Sequence, residues 1–397
     1  MAEYINGINP DILKWARERS GYAVEAIATF LKKDASIVND WESGERAPTY
    51  IQLEKLADKY KRPIAIFFFP EPPEEPNIAE NLALRSSDNT PLEPQIHILL
   101  RQAYARQLSL MELNLGTNPS EKKLFRDLQA KSAKSVASLA QQTRIYLDID
   151  VDTQAEWSAA AEALENWRDS IEEAGIFVFK DAFQDDSVDG FCLVHDEFPV
   201  IYLNNSRPPV RQIFSLFHEL AHLLIGENGI TRSGIFSSGA FSGGIIRSTK
   251  LTSKEIEDFC DQFAAEFLVP SDDLNTRLNY SIYDDDEIEE LANHYKVSRP
   301  VILLKLIKKG ILTQENYWEK MDQWTEDYKR KRTDRTTSSG GSYYNTRAAY
   351  LGYRFMELAF GKYRDGHCSI EQLAEHLNVK VKNLPRLEDC LLRKALR

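Results

Sequence analysis

Through residues 8–70, apolar positions recur at three- and four-residue spacing in short runs broken by turn residues, a pattern that predicts five short helices. Pro10–Arg19 opens on a proline in its first turn and puts Ile12, Leu13 and Ala16 on one face. Ala23–Leu31 does the same with Ile27, Ala28 and Leu31. Ser36 is placed to cap a third helix, Ile37–Ser43, which Gly44 stops. Thr49 caps a fourth, with Leu53, Leu56 and Ala57 inward, and Pro63 starts a last apolar turn over Ile64–Phe69. Four prolines among residues 70–76 then forbid a helix and mark a stiff linker.

Residues 94–147 return to helical spacing, and Ala155–Ala174 reads as one long amphipathic helix ended by Gly175. The period then changes. Ile176–Phe179, Gly190–Val194 and Val200–Leu203 are short apolar runs between turn residues, which predict strands of one small sheet. Helices follow at Ile213–Ile225, stopped by Gly226, and at Ser253–Leu268, ended by Pro270. Between them, residues 229–250 are rich in Gly and Ser and predict a loop with the character of a lid. Residues 284–312 hold two helices, residues 327–342 a basic flexible linker, and Arg347–Phe360 and Ile370–Leu377 a small helical end. The expected class is mostly α with a small sheet, α+β. The expected domains are 1–70, a helical connector over 71–154, a catalytic-type domain over 155–315, the linker 316–342 and a helical region 343–397.

Composition narrows the classes. Hydrophobic content of 43% and charged content of 28% fit a globular chain. No apolar run is long enough for a membrane helix and the N-terminus lacks a signal-type apolar stretch, so the expectation is a cytoplasmic protein without a membrane partner. The net charge of −12 excludes a general nucleic-acid coat, leaving DNA binding to a local patch. Cys192, Cys260, Cys368 and Cys390 form no CxxC pair, which argues against a disulfide framework or a cysteine zinc knuckle.

The chemistry concentrates in His218-Glu219-Leu220-Ala221-His222. Histidines four apart share one helix face, so both imidazoles can reach one ion. The flanks are apolar: Ile213, Phe214, Leu216 and Phe217 before, Leu223 and Leu224 after. Two surface histidines would not sit in such a setting, whereas a metal accounts for three polar residues on a buried helix. A catalytic zinc needs a third protein ligand and one open position. The helix Ser253–Leu268 offers Glu257 as that ligand and Glu266 as its competitor, with Asp261 one turn beyond Glu257 to accept from a ligand histidine's other ring nitrogen. Zn2+ would acidify a water, and Glu219, not a ligand, would take its proton as general base in peptide hydrolysis. No oxyanion partner is legible.

These stretches resemble the ImmA/IrrE-type zinc metallopeptidases of bacteria and phages. The resemblance rests on the strand Ile201-Tyr202-Leu203-Asn204, on Phe214 through Leu223, and on Glu257 through Pro270, and it covers about residues 155–315. It implies a zincin-like domain that cleaves a repressor-like protein, often encoded nearby. Cys260 departs from it, standing where alanine is usual. Residues 8–70 resemble a Cro/C1-type (XRE) helix-turn-helix, carried by Ile27-Ala28 and by Trp41 through Thr49. That resemblance implies that the third helix enters the major groove, where Asn39 could read adenine, Ser36 could meet a phosphate or base, and Arg46 adds a cation. Asp34, Asp40, Glu42 and Glu45 oppose phosphate, so a protein-docking role stands beside DNA binding. Two functions follow: a zinc endopeptidase acting on a repressor- or toxin-like partner, or an antitoxin-like regulator whose zinc domain grips its partner without cutting; for residues 343–397 a toxin contact and a homodimer contact both stand open.

Overall fold

The computed structural model describes residues 7–79, 92–232, 252–278, 284–313, 315, 318–321, 323–324 and 342–395. The chain divides into two compact units, Met1–Ala105 with Phe183–Asp185, and Arg106–Ala182 with Asp186–Arg397.

The first unit opens with helices α1 (Pro10–Arg19), α2 (Val24–Leu31), α3 (Ala35–Ser43) and α4 (Tyr50–Tyr60), then a 3-10 turn, Ile64–Phe68. Their inward faces meet as one core of Ile12, Leu13, Ala16, Ile27, Ala28, Val38, Trp41, Leu53, Leu56 and Phe67. Thr49 and Gln52 form a reciprocal capping box on α4, and Gly44 ends α3 in the left-handed region. The third helix begins one residue ahead of Ser36, with Asp34 at its N-cap and no side-chain cap bond. Arg17, on α1, holds Glu42, on α3, through two bonds of 2.7 and 2.8 Å. That pair locks the two helices and also removes the Glu42 charge from the DNA-facing account.

The second unit is helical around a four-stranded sheet of order β1-β3-β2-β4: β1 (Phe177–Asp181), β2 (Val188–Leu193), β3 (Val200–Asn204) and β4 (Gly229–Arg232). β1 runs parallel to β3, and β2 lies antiparallel to β3 and β4. The first three strands sit where the apolar runs predict them, shifted by one or two residues. β4 lies in the stretch read as a loop; the remainder of that stretch, 233–250, is outside the described residues, as is the basic linker up to residue 341.

The helix read over Ala155–Ala174 is two. In chain order α5 (Pro94–Leu113), α6 (Leu124–Asp127) and α7 (Val136–Leu147) precede it; a short helix, α8 (Val151–Glu156), then ends at Trp157, and α9 (Ala160–Glu173) restarts after it. Ser158 donates through both its backbone and its hydroxyl to Glu162, a local bond set that opens the new helix. Trp157 still packs inward, 5.0 Å edge-on to Trp167, so the apolar period runs straight through the break and hides it.

The C-terminal segment belongs to the second unit. Here Gly352 splits the helix expected over Arg347–Phe360 into Tyr343–Leu351 and Tyr353–Arg364. Its φ is +83°, and a Cβ there would stand 2.6 Å from the Arg168 guanidinium. The helix Leu384–Ala395, unpredicted by the sequence pattern, follows Ile370–Leu377.

Candidate metal centre and helix-turn-helix

The helix α10 (Pro209–Ile225) starts on a proline in its first turn and stops at Gly226, in the left-handed region. Every residue from Gln212 to Leu224 is buried, so its polar side chains must find partners inside the protein. Alongside lies α11 (Ser253–Leu268), begun by a capping box between Thr252 and Glu255. Phe217, next to His218, stacks on Phe267 of α11 at 4.0 Å, and Trp167 meets both rings edge-on at 5.0 and 5.2 Å. The far end of α11 is fixed by Arg144, which donates to the Phe267 carbonyl at 2.7 Å, and by Gln154, which donates to Leu268 at 3.1 Å. Aromatic packing therefore sets the separation of the two helices, and the hydrogen bonds set their register.

That register brings His218, His222 and Glu257 together. The two Nε2 atoms are 3.2 Å apart; Glu257 Oε2 lies 3.2 Å from His218 Nε2, and its Oε1 lies 3.4 Å from His222 Nε2. Donors about 2.0–2.1 Å from a tetrahedral ion stand roughly 3.3–3.4 Å from one another. The spacing thus fits a zinc-sized cation among three donors. Asp261 Oδ1 lies 2.9 Å from His218 Nδ1, which turns His218 Nε2 toward the other two residues. Burial disfavours a charged imidazole, yet Asp261 and Glu257 outweigh it and push His218 well above its usual range. Burial likewise raises Glu257, but His222 and His218 override it and hold the carboxyl well below the usual carboxylate range. The buried Asp261 and the half-buried Glu257 thus make a setting that favours positive charge.

Glu219 lies on the same helix, fully buried, and is not among these donors. Its Oε1 accepts from the Thr231 backbone at 3.1 Å and from the Thr231 hydroxyl at 2.5 Å; its Oε2 has no hydrogen-bond partner. Gly229 of β4 passes flat against His222: a Cβ there would come within 2.3 Å of the ring. Gly229 and Thr231 were missed because their segment reads as a Gly/Ser loop; the β-branched pair Ile230 and Thr231 was the available signal. Cys260 also joins the group, its sulfur within 4.8 Å of the donor nitrogens of both histidines. Burial first, then Glu257, pushes its thiol well above the usual range. Glu257 stands 3.2 and 3.4 Å from the two ring nitrogens with its carboxyl held low, whereas the Cys260 thiol is pushed up, which favours Glu257 as third donor.

Glu266 faces elsewhere. It accepts from Lys305 at 2.5 Å and from the Ser271 backbone and hydroxyl at 2.9 and 2.8 Å. Burial opposes its ionised form, but Lys305 and Ser271 prevail and hold its pKa below the ordinary 4.5. A folded-state pKa below the unfolded one stabilises above the unfolded value and is lost as pH falls. Glu266→Gln is therefore expected to cost roughly 1–3 kcal/mol at neutral pH. The gap to the native protein should shrink as urea melts are repeated below pH 4.5, while at neutral pH the variant's zinc stoichiometry equals the native one. Asp261→Asn, by contrast, is expected to weaken zinc roughly 10–100-fold in a chelator competition while leaving the fold intact.

On α3, Ser36 and Asn39 are exposed, as is Arg46 beyond it. Arg46 reaches back to Asp40 at 3.3 Å, so cation and acid offset one another. With Glu42 tied to Arg17, the face is less acidic than its sequence suggests.

An HExxH helix packed on a small mixed sheet beside a carboxylate-bearing helix defines a metallopeptidase-like domain, and the first unit's helices define a helix-turn-helix. Comparison with known families agrees. Residues 171–306 match the Peptidase_M78 family, described as the IrrE N-terminal-like domain. Residues 13–67 match the helix-turn-helix family HTH_3. The chain thus pairs a stretch similar to a helix-turn-helix domain with a stretch similar to an IrrE-like peptidase domain, which supports a protease-like regulator. No curated protein matches it significantly. Among the described residues no helix is long and apolar enough to cross a membrane.

Proposed function

We propose that the chain is a zinc-dependent endopeptidase that cuts a repressor- or toxin-like partner protein, with the helix-turn-helix placing it on DNA through Ser36, Asn39 and Arg46. In this reading residues 1–70 form the placing module and 155–315 the cutting one. The observation that carries it is the set of near-tetrahedral separations among His218, His222 and Glu257. Those three residues would hold the ion, and Asp261, 2.9 Å from His218 Nδ1, fixes the orientation of the His218 ring.

Zinc bound there supplies Lewis acidity and a water acidic enough to ionise near neutral pH. The remaining work falls to the chain. Thr231 pins one oxygen of Glu219, which fixes the carboxylate's orientation and leaves the other oxygen available. That oxygen accepts a proton from the attacking water and returns it to the leaving amine nitrogen, so the peptide bond breaks with one water consumed. The buried setting strengthens each of these interactions relative to water.

The test is reconstitution. The purified chain is stripped with a chelator, reloaded with one equivalent of zinc, and incubated with the protein encoded beside it. Fragments of the partner should appear with the loaded form, vanish on stripping and return on reloading. A partner that forms a complex with the loaded chain yet stays whole overturns cleavage and leaves a protein that holds its target.

A further inference from the structure

The helix α11 carries a sulfur on the same side as its two carboxylates. Glu257, Cys260 and Asp261 follow one another at three- and four-residue spacing from Glu257, so they lie along one face of the helix. Glu257 meets the Nε2 atoms of His218 and His222, and Asp261 meets His218 Nδ1. Cys260, between them in sequence, is fully buried, and its sulfur lies within 4.8 Å of the donor nitrogens of both histidines. His218, His222 and Cys260 therefore form a cluster compact enough to close on one ion.

A buried thiol commonly serves as a weak hydrogen-bonding group. Cys192, on β2, does so, donating to the Glu227 carbonyl over 3.9 Å. Cys260 does not orient His222 as Asp261 orients His218, because His222 Nδ1 has no hydrogen-bond partner. Coordination is the use its position suits. Zinc takes imidazole, carboxylate and thiolate in one shell. Around a tetrahedral ion, a sulfur at about 2.3 Å and a nitrogen at about 2.0–2.1 Å stand roughly 3.5 Å apart. From 4.8 Å at most, the sulfur has to close by no more than about 1.3 Å, which rotation about its single side-chain torsion covers. Burial raises the thiol of the metal-free centre, but a cation deprotonates a thiol that coordinates it.

We propose that Cys260 is a fourth protein donor to the metal, taking the position that a catalytic site leaves to water. The inference rests on zinc binding by His218, His222 and Glu257, and it adds a resting state to that site. A shell of two imidazoles, a carboxylate and a thiolate is closed, as structural zinc sites are. The loaded chain is then silent until the sulfur gives way. Glu219 has work to do only after that exchange, since its free oxygen takes a proton from a water that has entered. The sulfur can swing aside without moving α11, because Glu257 and Asp261 stay against the histidines from the same helix.

The experiment strips the full chain with a chelator and loads it with one equivalent of cobalt(II). A thiolate bound to cobalt gives a near-ultraviolet charge-transfer band that nitrogen and oxygen donors do not give. The band is expected in the native chain and in Cys192→Ala, and is lost in Cys260→Ala, with one cobalt per chain in all three. In Cys260→Ala, zinc should bind at least about tenfold more weakly in a chelator competition, the equivalent of 1.4 kcal/mol. Cleavage of the partner by the zinc-loaded variant should be faster than by the native chain. Should the alanine variant fail to fold, Cys260→Ser, closer in size, makes the same comparison. Cobalt bound by the native chain without the band, or a band that persists in Cys260→Ala, overturns the proposal and leaves the three-donor site standing. A native chain that binds no cobalt removes both. A band lost in Cys260→Ala, with no cleavage by any form, supports Cys260 as a ligand and counts against the peptidase reading alone.

Discussion

Glu219→Gln is expected to slow cleavage of the partner by roughly 10²- to 10⁴-fold while one zinc per chain is retained. The amide has nearly the shape of the carboxylate, so the surrounding packing barely changes. What it loses is the ability to accept a proton on the oxygen that Thr231 leaves free. Glu219 touches neither the His218–Glu257 contact nor the His218–Asp261 contact, so metal affinity has no reason to fall. Single-turnover rates on the isolated partner, read beside metal content, make the measurement. Should the variant cut at the native rate, another group moves the proton and Glu219 is a structural acid. Were regulation in cells to survive the substitution although cleavage is lost, grip alone would be the biological output.

The centre was legible because it is compact in sequence. Histidines four apart must share a helix face, and the apolar flanks of His218 said that the face is buried. Glu257 and Asp261 were legible for the same reason: four residues apart, they sit one turn from each other beside an apolar stripe. What escaped notice depends on contacts across the sheet. Gly229 is required because β4 lies against the His222 ring, a fact about two segments that no local pattern carries. Thr231 reaches Glu219 only once β4 pairs with β2. Cys260 stands near both histidines, yet in sequence it reads as one more apolar position on its helix. In the first unit the acids on α3 looked hostile to phosphate; the structure spends Glu42 on Arg17, a partner 25 residues away. Local periodicity reports which face is buried, and long-range pairing decides what each charge is for.

The same limit governs the segment 343–397, where sequence suggested only a small helical unit. Arg168 of α9 is 1% exposed and bonds Glu172 at 3.2 Å, the Ala349 carbonyl at 2.7 Å and the Val178 carbonyl of β1. One side chain therefore ties α9, the sheet and the C-terminal helices, with Gly352 bare of a side chain to admit it. Arg168→Leu is expected to destabilise the protein by about 3–5 kcal/mol, since it leaves Glu172 buried without its counter-charge. Burial already raises the Glu172 carboxyl, and Arg168 works against that rise. Removing both charges is a different matter: Arg168→Leu with Glu172→Leu should recover most of the loss, because an apolar pair incurs no cost for desolvating charge. Urea melts of the native chain, the two single variants and the double variant close the cycle. If the double variant is as weak as Arg168→Leu alone, the carbonyl bonds to Ala349 and Val178 carry the stability and the ion pair does not.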